Sequence, residues 1–199
     1  MPWVGVSLLV GVALLVATGV IATFHESGTV ALLPAFSGQP SLGGVAFIVR
    51  RNLLVLALHA LVCVAGYLAM RGVPSVADAY EGPIRTLHRA ATPIALVFVS
   101  LATLGSLTVQ ALALGEFAAS IAAAYNLTPQ HLLILILPHA LPELTALFLP
   151  LGAWMVIARR NEWGDLLAAS IITTALAVPV LVMAAIIEVY VSPLLVLAA

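Results

Sequence analysis

Charged side chains are scarce in this 199-residue chain: seven cations and eight anions make up 8% of it. Soluble domains carry about 25%, so there is too little charge to cover a water-facing surface. A mean hydropathy of +1.21 makes lipid the solvent that fits. Lysine is absent, every cation being arginine. The net charge of −1 gives no electrostatic case for a nucleic-acid partner. A single cysteine, Cys63, excludes an intramolecular disulfide and reads as a packed thiol in an apolar run. Also missing are a Gly-x-Ser-x-Gly elbow, a phosphate-binding glycine loop, a dinucleotide fingerprint and a His-Glu-x-x-His motif. The longest polar connection, residues 71–89, leaves no room for a sizeable soluble domain.

Long apolar runs are what the chain has. A membrane span needs about 20 such residues, and five segments qualify, near 3–24, 52–70, 92–114, 132–158 and 166–187. Met1-Pro2-Trp3 lacks a basic n-region, so the first run is expected to be a retained helix rather than a cleaved signal peptide. Pro34 and Pro40 mark residues 27–44 as a loop, and 43–51 is compatible with a short interfacial segment. Residues 71–89, with Asp78, Glu81, Arg85 and Arg89, read as a loop with a short surface helix. Residues 115–125 either extend the third span or form a sixth, short element. Asn126-Leu-Thr128-Pro129 reads as a turn, N-cap and N1 proline. The expectation is an all-α polytopic transmembrane helical bundle of about five spans, 1–199 forming one membrane domain.

Arginine placement sets the expected orientation. Arg71, Arg85 and Arg89 share the second connection, and Arg159 and Arg160 the fourth, which five spans put on one, cytoplasmic, side. The N-terminus is then inside and the C-terminus outside. Arg50 and Arg51 oppose this assignment.

Chemistry concentrates in the fourth span. Pro138-His139-Ala140-Leu141-Pro142-Glu143 puts His139 and Glu143 at i, i+4 on one helix face. Each ionisable residue at membrane depth costs roughly 2.5–3.5 kcal/mol on insertion scales, so such a pair calls for a partner or a task. Pro138 and Pro142 each remove a backbone donor and predict a broken helix, and Pro179 a kink in the fifth. The last two spans form a helical hairpin turning near Glu162, which places Glu188 at the depth of His139. His59, seven residues into the second span, reaches a comparable depth. A cluster of His59, His139, Glu143 and Glu188 is geometrically allowed, with Asn52 and Gln110 at its outer rim. Spacing alone also permits polar glue between helices, or a packed histidine at 59. No cofactor fingerprint is present. The one cofactor the residues allow is a divalent metal such as zinc, with His139, Glu143 and Glu188 as ligands.

The pattern resembles the stage II sporulation protein M family of bacterial and archaeal membrane proteins. The resemblance rests on Arg51-Asn52 opening a span, on Leu-Pro138-His139-Ala140-Leu141-Pro142-Glu143-Leu, and on Ile-Ile187-Glu188-Val-Tyr-Val-Ser192-Pro193. These cover roughly residues 47–194 in the expected order. The family usually has glycine after the histidine, where this chain has Ala140. Family motif residues map onto Asn52, Pro138, His139, Glu143 and Glu188. The resemblance implies a membrane component of a complex, the sporulation member working with cell-wall-degrading partners, although many members occur in organisms that never sporulate.

The leading expectation is therefore a non-catalytic scaffold or partner subunit in a cell-envelope complex, within a lipid bilayer, bound to other membrane or envelope proteins and forming a homodimer. The alternatives are a proton, ion or small-solute transporter using His139, Glu143 and Glu188, and an intramembrane metal-dependent hydrolase on the same residues.

Overall fold

The structure is a computed structural model and describes residues 2–24 and 40–199. Five of its helices are long and apolar enough to cross a membrane. The first helix, α1 (Pro2–Phe24), buries Ser7, Gly11, Leu14, Thr18 and Ala22, a stripe of mostly small residues at helical spacing. Small residues let helix backbones approach closely, which is the main source of packing energy in lipid. Helix α1 lies against the later helices α4, α5 and α6. The loop expected over 27–44 falls outside the described residues except for its last five.

Helix α2 (Leu42–Tyr67) starts well before the expected span, because the Ser41 hydroxyl caps it by accepting from the Gly44 N–H at 3.1 Å. The segment 43–51 is thus part of the helix. Its buried stripe is Ile48, Asn52, Leu56, His59, Cys63 and Gly66. A π-helical turn (Leu68–Gly72) and α3 (Val73–Ala77) carry the chain onward, and α4 (Gly82–Ala124) begins after four intervening residues. The expected loop over 71–89 is therefore corrected to a helical hairpin with its turn at 78–81. Proline and glycine at 72–74 suggest a break, but the π turn absorbs Pro74 without ending the helix. Asp78 sits in that turn, hydrogen-bonded by Arg85 at 3.1 Å and Arg89 at 3.2 Å. Arg85 first, then Arg89, holds its carboxyl below the usual carboxylate range.

Helix α4 has 43 residues, about 64 Å at 1.5 Å per residue, roughly twice a bilayer core. Residues 115–125 extend it rather than forming a sixth element. Asn126 turns the chain with φ 55°, Thr128 accepts from the His131 N–H at 3.2 Å, and α5 (Pro129–Leu147) begins at a proline in its first turn.

The fourth span does break, but not where expected. Helix α5 runs unbroken through Pro138 and Pro142, and the interruption falls at Phe148, before α6 (Leu149–Arg160). A proline deletes one donor, and in lipid no water competes for the remaining helical bonds. Around Phe148 neighbouring helices add hydrogen bonds to the backbone, the Phe148 carbonyl already accepting from the Gly152 N–H at 2.8 Å. Ser7 Oγ on α1 reaches the Phe148 carbonyl at 3.0 Å, and Cys63 Sγ on α2 donates to the Pro150 carbonyl at 3.2 Å. Cys63 is buried and free, as a packed thiol should be. Asn161, left-handed at φ 58°, closes α6, and a 3-10 turn (Trp163–Asp165) leads into α7 (Leu166–Tyr190). Helix α7 is continuous through Pro179, where a kink is expected, and neither Pro138 nor Pro142 ends a helix. It packs along α2, α5 and α6, and a short α8 (Ser192–Leu197) folds back onto α5.

Candidate functional site

Two helices bring the three residues together. His139 and Glu143 project from one face of α5, one turn apart, and Glu188 comes from the last turn of α7. One ring nitrogen of His139 and one oxygen from each carboxylate all lie within 4.8 Å of one another. The three side chains are 6%, 8% and 7% exposed, so water screens their charges little. Two carboxylates at that separation repel by about 3 kcal/mol even at an effective dielectric near 20. The arrangement therefore favours a cation, or a proton, between them.

Neighbours fix the orientation of two of the three groups. Asn52 on α2 donates from Nδ2 to Glu143 Oε1 at 2.9 Å, with both residues buried. Ser192, at the start of α8, lies 2.7 Å from His139 Nδ1. The Ser192 hydroxyl also donates to the Ile187 carbonyl at 3.3 Å. Where Ser192 accepts from Nδ1–H, the lone pair of neutral His139 lies on Nε2.

A cavity of about 110 Å³ adjoins the three residues. Its wall is mostly apolar, from Leu15, Leu114, Phe117, Ile121 and Ile136, with Thr18 on α1 as a further polar member. Thr18 is 3% exposed and its hydroxyl has no hydrogen-bond partner among the described residues. Arg51, an exposed residue of α2, also lines the cavity and attracts both carboxylates. The volume is several times the roughly 10–15 Å³ of probe-occupied space that one water needs.

Two residues expected near the cluster lie elsewhere. His59 is two turns along α2 from Asn52, donates from Nδ1 to the Val55 carbonyl at 2.9 Å, and packs edge-on against Phe148 with ring centroids 5.1 Å apart. It lines a separate groove between α2 and α4, together with Gln110. Depth along the membrane normal is legible from residue counts, but the direction a helix face points is not. Conversely, Ser192, Arg51 and Thr18 join the site without having been singled out as site residues. Ser192-Pro193 and Arg51-Asn52 carried a signal as motif neighbours, while a lone threonine in an apolar run carries none.

A serine contacting a histidine beside carboxylates invites comparison with nucleophilic triads. Ser192 is 1% exposed and does not line the cavity, so no reacting group reaches its Oγ. The arrangement can bind a cation, share a proton, or clamp α2, α5, α7 and α8 together.

Neither curated proteins nor solved structures give a significant match to this sequence. Residues 87–193 match the sequence profile of Stage II sporulation protein M. The match takes in α4 from its second turn, the whole of α5, α6 and α7, and His139, Glu143, Glu188 and Ser192, while Arg51 and Asn52 precede it. With more than half of its length so matched and five apolar helices of spanning length, the chain is a multi-pass membrane protein that belongs to the stage II sporulation protein M family.

Proposed function

We propose that this protein is a non-catalytic partner subunit of a cell-envelope complex, presenting α4 to a membrane-spanning segment of another envelope protein. The observation that carries this reading is the state of α4. Not one residue from 82 to 110 is buried, although this stretch spans most of the helix. Lipid solvates Ile94, Val97, Phe98 and Leu101 well enough. It does not solvate the polar set beside them. The groove between α2 and α4, about 610 Å³ in volume, is lined by His59, Thr103, Ser106 and Gln110 among apolar residues. Gln110 satisfies one amide proton on Ser106 at 3.1 Å and remains only half-buried. Amide and hydroxyl groups on an uncovered membrane face favour a second helix that can hydrogen-bond to them. The inaccessible Ser192 supports a non-catalytic role.

Photo-crosslinking residues placed at Phe98 and Ala102 in living cells test the proposal. The expected product is a covalent adduct with one other membrane or envelope protein, identified by mass spectrometry and lost on Gln110→Leu. An adduct with a second copy of the chain would replace the proposal with a homodimer, and adducts with lipid alone would reject it.

The cavity beside Glu143 and Glu188 favours a second reading, passage of protons or small cations, since buried carboxylates commonly mark ion pathways. Under it, Glu143→Gln abolishes flux in proteoliposomes while the protein still assembles.

A further inference from the structure

We infer that His139, Glu143 and Glu188 form a binding site for one first-row divalent cation, zinc being the best matched. The inference goes beyond the partner role and does not depend on it. Donors held at about 2.0–2.2 Å from a tetrahedral zinc stand about 3.4 Å apart. The three donor atoms here already fall within 4.8 Å, so small side-chain rotations complete the set. One imidazole and two carboxylates make a borderline nitrogen and oxygen donor set suited to zinc.

The surroundings are built as those of a ligand set are. Histidines that bind a metal usually donate their other N–H to a neighbour, which fixes the tautomer, and ligating carboxylates are themselves hydrogen-bonded. Ser192 occupies His139 Nδ1 and leaves Nε2 for a ligand; Asn52 donates to Glu143 Oε1 and leaves the other oxygen free. Two carboxylates balance a divalent charge where the interior screens it poorly, with Arg51 at the cavity wall offsetting part of their charge.

A second, independent feature concerns the position that three protein ligands leave open. The cavity lies beside it and has room for water. Thr18, nearly fully buried, lines that cavity from α1 with a hydroxyl that has no hydrogen-bond partner among the described residues. A water on the cation's open position would give Thr18 its missing partner.

Full-length protein purified in detergent from zinc-replete cells is expected to carry about one zinc per chain by elemental mass spectrometry. Glu188→Gln and His139→Gln should each lower that to below about one tenth, while His59→Ala retains it. Stripping the metal and adding zinc back should raise the Tm of wild type but not of Glu188→Gln, whose folding is checked by its elution as a single species. Cobalt in place of zinc reports the site through its visible absorption, independently of stability. Asn52→Ala and Ser192→Ala, outside the ligand set, should weaken zinc about 10–100-fold. Wild type without zinc and without a zinc-dependent Tm would overturn the inference, as would equal zinc in the His139→Gln/Glu188→Gln double variant.

Discussion

Asn52 spends one amide proton on Glu143, and that bond ties α2 to α5 inside the membrane. A buried acceptor that loses its donor costs about 1–3 kcal/mol, more when the acceptor is charged. Asn52→Leu is therefore expected to lower stability by about 1–3 kcal/mol in detergent-solubilised protein, measured by thermal unfolding. His59 makes the contrast at the same scale. Its ring bonds to its own helix and packs on Phe148, so its partners are the backbone and the core. His139 and Glu143 were readable as a pair because i, i+4 spacing on a helix is geometry that the sequence already contains. Glu188 was readable by counting outward from the turn at Glu162. His59 passed the same depth count and still points elsewhere, since equal depth leaves azimuth around the helix axis undetermined.

At the scale of elements, the interruption between α5 and α6 shows how a membrane protein tolerates irregular backbone. Carbonyls of Phe148 and Pro150 take hydrogens from Ser7 and Cys63, two residues on separate helices. Close approach makes this reach feasible. A Cβ added at Gly152 would fall 2.7 Å from the Trp3 carbonyl, so α6 and α1 meet there backbone to backbone. Gly152→Leu is expected to push α1 away at a cost of at least about 1–3 kcal/mol, seen as a lower Tm. Ser7→Ala removes only the hydrogen bond, and interhelical bonds in membranes average about 0.6 kcal/mol, up to about 1.7. A larger loss for Ser7→Ala than for Gly152→Leu would contradict this account. Prolines named the right span in the sequence but not the right position. The interruption falls at Phe148, where Ser7 and Cys63, both remote in the chain, hydrogen-bond to the backbone.

For the whole molecule, the arginines of the second and fourth connections argue for a cytoplasmic N-terminus and an outward C-terminus. A fluorescent-protein fusion after Ala199 is then expected to stay dark, and an alkaline phosphatase fusion there to be active; the reverse pattern would invert the assignment. Scarce charge and five apolar runs were enough to fix an all-α membrane bundle, because lipid permits only helices or closed barrels to span it. The sequence also marked the depth of the ionisable residues, since helical rise converts residue number directly into distance. Only the tertiary structure decided which faces meet: that Asn52 and Ser192 flank the cluster, that Thr18 faces a cavity beside it, that His59 does not join it, and that no residue of α4 from 82 to 110 is buried. Those outcomes rest on contacts between residues far apart in the chain, and apolar periodicity cannot encode them when every face of a helix is apolar.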